Sequence, residues 1–312
     1  MKQQLNKSAH HIPVLRDEVT AALALKQDSL VVDATFGRGG HTRAIISHLG
    51  DTGRLLVIDR DPDAIARALE EWSDDQRVDI VHAPFSHLRA ILEQRDLAGR
   101  VTALLFDFGV SSPQLDTAER GFSFAHDGPL DMRMDPQSGV SAAEWLESVS
   151  ESELVTVLRR FGEERFARRI AASIKKHLPI NSTCELSDLV SEAIPFHEKG
   201  KHPATRTFQA IRIAVNGELD EIESVLPQAL DSLAEGGRLV IISFHSLEDR
   251  LVKRFLREQS KGDSFPPDMA VTVDMLRPRI RLVGKAIRAG QSERDNNRRA
   301  RSAVLRVAEK LA

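Results

Sequence analysis

Apolar residues fall in short, dense runs separated by amphipathic stretches. Leu30-Val31-Val32, Leu55-Leu56-Val57-Ile58, Val78 with Ile80 and Val81, and the run 101–106 are all of strand length. Continuous apolar runs this short suit strands buried on both faces. Between them the spacing turns helical: Ala44, Ile45, Ile46 and Leu49, then 65–72, then Leu88, Ile91 and Leu92. A first amphipathic helix is predicted over 17–25. Four strands alternating with helices within about 80 residues predict a parallel, doubly wound α/β sheet.

The alternation breaks after residue 110. From Ser111 to about Val215 no stretch reads as a buried strand; a Gly-, Pro- and Asp-rich segment (121–139) leads into helical patterns at 142–149, 151–161, 163–177, 186–194 and 203–216. A structureless loop of that length is implausible in a compact fold. The reading is a helical domain (113–215) inserted into a discontinuous sheet domain (1–112 and 216–312). A crossover helix is predicted over 218–234, with Gly236-Gly237 as its C-cap. The fifth strand then covers 238–242. Ser246 with Asp249 resembles a capping box opening a helix over 247–257. Residues 262–268 read as loop, and 280–283 and 303–307 as the last strands.

Composition narrows the class. The chain has 312 residues, one cysteine (Cys184) and a net charge of −3. A single cysteine excludes an internal disulfide and fits a reducing compartment. The first eleven residues are polar, which argues against a secretory leader, and no apolar run approaches the ~20 residues of a membrane span. A cytoplasmic protein with no membrane partner is expected. Charge is uneven: 277–312 carries eleven Lys or Arg against Glu293, Asp295 and Glu309, a local +8 on a body of about −11. Such a basic end can steer a polyanion, although a solvated tail would look the same.

Chemistry centres on Asp33-Ala34-Thr35-Phe36-Gly37-Arg38-Gly39-Gly40-His41-Thr42, a glycine turn between the first strand and its helix. The third glycine of a dinucleotide fingerprint would fall at 42, which is Thr42, and this disfavours a nicotinamide oxidoreductase. An acid closing the strand and G-x-G-G after it point instead to an S-adenosylmethionine loop. Ligands of open α/β sheets sit beyond the carboxyl ends of the strands, where the chain presents Asp33, Asp59, Phe85, Asp107 and His245. Asp59 lies 20 residues past Gly39, at the spacing of a ribose-binding acid, while Asp61 before Pro62 suits a helix cap. Phe85 can cover an adenine or be core. Asp107 closes a very apolar strand, where an unpaired carboxylate is costly, so a ligand ammonium or a substrate amine is its expected partner.

Other chemistries are disfavoured. Cys184 lies inside the helical insert without a preceding proline, unlike a covalent cysteine nucleophile of base methylation. His41, His82, His87, His197 and His202 lack ligand spacing, so no metal is expected. There is no P-loop. Phe122 and Phe124 could form a base-stacking surface or pin a loop as core. Asp131, Arg133 and Asp135 alternate along an extended segment. Thr205, Gln209, Arg212 and Asn216 make a polar stripe that suits phosphates and base edges, or merely faces solvent.

Taken together, these stretches resemble the RsmH (MraW) family of bacterial 16S rRNA cytosine N4-methyltransferases. The resemblance rests on His11-Ile12-Pro13-Val14-Leu15, the glycine loop, 107–116, 120–124, 128–136, 202–216 and 243–250, in order along nearly the whole chain. It implies a class I S-adenosylmethionine methyltransferase fold with an inserted substrate-recognition domain. The implied reaction is methylation of N4 of the decoding-centre cytidine conventionally numbered 1402, in 16S rRNA of the small ribosomal subunit. Cofactor contacts carried over are Gly39, Gly40, His41, Asp59, Phe85, Asp107 and Gln114, with Asp107 also the candidate catalytic residue. Arg133, Arg206, Arg212, Arg299 and Arg301 are candidate RNA contacts, and a homodimer is left open. Arg298 stands where the family pattern has proline, which puts the local turn in question. Ser111-Ser112-Pro113-Gln114 departs from the Pro-Pro-aromatic motif of amino-methyltransferases, which leaves the catalytic assignment open. Two alternatives stand beside this reading: an RNA-binding assembly factor without chemistry, and an amino-methyltransferase of the same fold acting on DNA or protein.

Overall fold

A computed structural model describes residues 13–196, 200, 202–263, 269, 272 and 275–312. His10, His11 and Ile12, His197, and most of the 262–268 loop lie outside them. The strands are β1 (Leu30–Asp33), β2 (Arg54–Asp59), β3 (Val78–His82), β4 (Val101–Asp107), β5 (Leu233–Ser243), β6 (Ile280–Leu282) and β7 (Val304–Lys310). They form one sheet in the order β3-β2-β1-β4-β5-β7-β6. β1 to β5 are parallel, while β7 runs antiparallel to β5 and β6 antiparallel to β7. Strand order reverses between β1 and β4, which is where ligands of doubly wound sheets bind. The architecture is that of a class I, Rossmann-like methyltransferase sheet.

The apolar runs of β1, β2 and β4 are buried on both faces, as their lack of alternation requires, whereas β3, at the sheet edge, has no fully buried residue. Val31, Leu55, Val57, Ala103 and Leu105 join one core layer with helices α1 (Arg16–Leu23), α2 (Gly40–Ile46) and α3 (Pro62–Trp72). Their neighbours Val32, Leu56, Ile58, Leu104 and Phe106 are equally buried on the other face.

Helix α4 (Leu88–Glu93) follows β3, α5 (Ser112–Asp116) follows β4, and the crossover helix α11 (Glu218–Ser232) precedes β5. Two compact units emerge. One runs to Asp59, resumes over Ala64–Phe108 and closes with Leu226–Ala312; the other comprises Arg60–Asp63 and Gly109–Val225. The sequence reading places the breaks at 112/113 and 215/216. The second unit has its own core, built by α6 (Ala142–Ser148), α7 (Glu151–Gly162), α8 (Ala167–Lys176), α9 (Thr183–Ala193) and α10 (Thr205–Asn216). Phe122 and Phe124 pin its first loop. Phe122 is buried, and Phe124 stacks on His202 at 4.4 Å and meets Phe208 edge-on at 4.8 Å.

Two local expectations are corrected. Gly236-Gly237 does not cap the crossover helix, which ends at Ser232 (Glu218–Ser232). The pair lies within β5, where Leu233 pairs with Val101 but Arg238 with Ala103, so the extra residues form a bulge. The capping box after β5 is shifted by one residue. His245 is the N-cap of α12 (Ser246–Lys261), and Glu248, fully buried, closes the box by accepting from His245 N. Asp249 instead takes a bidentate pair from Arg306 of β7 at 2.7 and 3.0 Å.

Asp61 caps α3 as expected, accepting from Asp63 N at 3.0 Å. Its other oxygen accepts from Gln114 Nε2 at 2.8 Å and Arg120 at 2.9 Å, with Arg120 only 11% exposed. Arg120 also reaches Asp63, which is 76% exposed. Removing one partner of a buried pair strands the other charge. Asp61→Ala should cost about 3–5 kcal/mol in urea denaturation, whereas Asp63→Ala should stay within about 1 kcal/mol. Equal costs would show that burial does not set the strength of this pair.

Candidate active site

The glycine turn is held from three directions. Gly37 N donates to Asp59 Oδ2 at 2.8 Å, so the acid ending β2 anchors the turn that follows β1. Gly39 N bonds Phe36 O at 2.8 Å, with Gly39 at φ +70° before α2 begins at Gly40. A Cβ on Gly39 would meet the Phe36 ring at 2.7 Å, and one on Gly40 would meet the Pro13 ring at 2.9 Å. Gly40 is therefore required by packing against the amino-terminal arm. Leu15 fastens that arm, its backbone N donating to Glu293 Oε1 at 2.8 Å.

Asp33 is fully buried at the end of β1. Its carboxylate accepts from Thr42 Oγ1 at 2.7 Å and Thr35 N at 3.3 Å. Burial nevertheless pushes its pKa up to about 6, against these two hydrogen bonds. Thr35 Oγ1 in turn accepts from the backbone N of Asp107 at 2.7 Å, tying the turn to the end of β4. Burial raises the Asp107 pKa to about 7; Arg299 pulls it down, while Asp33 and Glu248 push it further up. Among the described residues Asp107 Oδ1 has no hydrogen-bond partner. His41 Nε2 lies 3.8 Å from Asp107 Oδ2, beyond hydrogen-bond reach, and neither ring nitrogen of His41 has a partner among those residues. Burial holds the His41 pKa down at about 4, so the ring is neutral near pH 7.

Three rings sit along the same edge. Phe85, in the turn after β3, meets Phe106 edge-on at 5.8 Å and Phe108 at 5.6 Å. At the end of β5, Ser243 is buried with its Oγ unpartnered among the described residues. Next to it the guanidinium of Arg299 lies 4.9 Å over the Phe244 ring. Arg299 is placed by Asn297, whose side chain accepts from Arg299 N at 3.0 Å and caps the turn Arg298–Arg301. That cap forms with Arg298 in the place of proline.

The sheet unit thus brings together Gly39, Gly40, His41, Asp59, Phe85, Asp107 and Arg299, and Arg301 is exposed on the same carboxyl-terminal turn. Gln114 belongs to the other unit. There its amide closes a capping box on Ser111 N (2.8 Å) and donates to Asp61, so most of its capacity serves local structure. The polar stripe of α10 is likewise spent within its unit. Arg212 pairs bidentately with Glu218 at 2.7 and 2.8 Å, Gln209 donates to Phe161 O, and Asn216 bonds Met132 O and Met134 N. Arg133 forms a bidentate pair with Asp131, and Arg206 lies in the first turn of α10. Sequence reasoning passed over Ser243 and Glu248, and also Thr35 and Glu293, whose contacts to Asp107 and Leu15 are distant in sequence. Thr42 was visible only as a missing glycine.

The residues present fit S-adenosylmethionine. Its ammonium and sulfonium need anionic or acceptor surroundings, and Asp107 Oδ1 is a buried acceptor awaiting a donor. Its ribose needs a carboxylate, and Asp59 stands at the end of β2 against the glycine turn. Its adenine needs an apolar wall, which Phe85 offers.

Comparison with known proteins adds the lineage. Residues 8–311 match the model of the MraW methylase family. A ribosomal RNA small subunit methyltransferase H from Thioalkalivibrio sulfidiphilus (strain HL-EbGR7) is 54% identical over 306 residues, covering 97% of this chain and 98% of the relative. Among solved structures, an rRNA methylase from Streptococcus thermophilus aligns at 11% identity and TM-score 0.42, covering 95% of this chain and 94% of that one. TrmN from Thermus thermophilus aligns at 13% identity and TM-score 0.43, covering 95% and 48%. On the family match and the near relative, the chain belongs to the MraW methylase family.

Proposed function

We propose that this chain transfers a methyl group from S-adenosylmethionine to small-subunit ribosomal RNA, at N4 of the decoding-centre cytidine numbered 1402. The observation that carries the chemistry is Asp107: a carboxyl at the end of β4, raised to about 7 by burial, with one oxygen unpartnered among the described residues. The RNA substrate is supported by the name of the 54% identical relative. The choice of N4 on that cytidine rests on the family resemblance.

The cofactor supplies an electrophilic methyl group on a sulfonium. Gly39, Gly40 and His41 would line its methionine portion, Asp59 would hold the ribose, and Phe85 would cover the adenine. The N4 lone pair of cytosine is delocalised into the ring, so the amine is a poor nucleophile. The Asp107 carboxylate accepts an N4 proton in a hydrogen bond, which localises that lone pair. A base whose pKa lies near the working pH is best matched to this task. Neutral His41 keeps a second positive charge away from Asp107, and Arg299 offsets the repulsion from Asp33 and Glu248. Most of the acceleration then comes from positioning in a preorganised field.

Four outcomes follow. Because Asp107 works as the ionised form, turnover should rise with pH through about 7 and level off above it. Asp107→Asn should lower kcat by about 10²-fold or more and abolish that limb; an unchanged profile would remove Asp107 from the reaction. Arg299→Gln should move the limb to higher pH, since the cation that favours the ionised form is gone. Mass mapping of 16S rRNA from cells lacking this protein should show one methyl group missing at N4 of the decoding cytidine. An unaltered modification there would reject the substrate assignment.

A further inference from the structure

With Arg133 and Arg212 held in bidentate ion pairs, the helical unit needs another surface if it is to meet a polyanion. One stands out where α7 turns into α8. Arg159 and Arg160 lie in the last turn of α7, Arg165 in the link, and Arg168 and Arg169 in the first turn of α8. All five are exposed. The link carries two acids against these five arginines: Glu163, which is exposed, and Glu164, which is 5% exposed and accepts from Phe166 N.

Cations at the end of α7 suit the helix dipole, but Arg168 and Arg169 sit at the positive end of α8, where they oppose it. α8 has no acid in its first turn, and its N-cap Phe166 offers no side-chain acceptor. Stability alone would select the opposite charges there. Aromatic rings accompany the arginines. Phe196 is 57% exposed and meets Phe166 edge-on at 5.2 Å, and the Arg160 guanidinium lies 5.3 Å from the Phe161 centroid. Clustered cations with an exposed ring are the pattern that holds single-stranded nucleic acid, by phosphate neutralisation and base stacking.

We infer that the α7–α8 corner, through Arg159, Arg160, Arg165, Arg168, Arg169 and Phe196, is a contact surface for single-stranded segments of the RNA substrate. This rests on the reading of the chain as an RNA methylase. It moves the RNA contact of this unit from Arg133 and Arg212 to the exposed cluster at the α7–α8 corner, and it explains a charge pattern that costs helix stability.

The test uses the full chain and a fluorescein-labelled single-stranded RNA of about 20 nucleotides, long enough to span such a surface, titrated from 50 to 200 mM salt. In the triple variant Arg165→Gln, Arg168→Gln and Arg169→Gln, the slope of log affinity against log salt should flatten by about 2, or 0.7 per lost phosphate contact. Its thermal midpoint should equal or exceed that of the parent, because the removed charges oppose the dipole. Phe196→Ala should weaken binding by about tenfold with the slope unchanged, and a duplex of equal length should not register that change. Neutralising exposed Arg67, Lys253 and Arg257 serves as the control, and the slope should hold. A parental slope in the triple variant, or an equal flattening in the control, overturns the inference. Methyl transfer to small ribosomal subunits, followed in parallel, separates the two readings: parental protein that binds as described yet transfers no methyl group would reject the enzymatic reading alone.

Discussion

A buried carboxylate with no cation beside it needs hydrogen-bond donors, and Asp33 sets that demand at the centre of the sheet. Thr42 and Thr35 meet it, the first from α2 and the second from the turn itself. Thr35 then binds the backbone of Asp107, so β1, its glycine turn, α2 and the end of β4 form one hydrogen-bonded block. Asp59 closes the block from β2 through Gly37. Every group assigned to the cofactor in the sheet unit, apart from Phe85, belongs to this block. The preorganisation that methyl transfer needs is thus built by satisfying one costly acid.

The same block explains the electrostatics. Asp33, Asp107 and Glu248 put three acids near one edge, and Arg299 answers them from the carboxyl-terminal turn. Burial, helped by repulsion from Asp33 and Glu248, keeps Asp107 far above an ordinary carboxylate, while the cation pulls it back toward neutral pH. His41, uncharged in its apolar surroundings, leaves that balance undisturbed. In the proposed mechanism Arg299 acts on Asp107, which it pulls down against burial and the neighbouring acids.

Much of this was legible in the chain. The uninterrupted apolar runs predicted the doubly buried strands β1, β2 and β4, and the glycine turn and strand-end acids singled out in the sequence are the groups that the structure bonds to one another, Gly37 to Asp59 and Thr42 to Asp33. What stayed hidden was partner choice across long sequence separations. Nothing local says that Glu293 will fasten Leu15 or that Asp61 will gather Gln114 and Arg120. Thr42 shows the limit well. The spacing rule marked it as a departure from a dinucleotide loop, but its purpose appears only once Asp33 is seen to need its hydroxyl. The glycine pair at 236–237 misled for a related reason, since a helix cap and a strand bulge call for the same residue.

The central claim is that the fold holds Asp107 ready to ionise near neutrality. Carbon-detected NMR titration of its carboxyl in the intact protein measures this directly. A midpoint near 7 is expected; a midpoint close to the ordinary aspartate value of about 4 would contradict this role for Asp107.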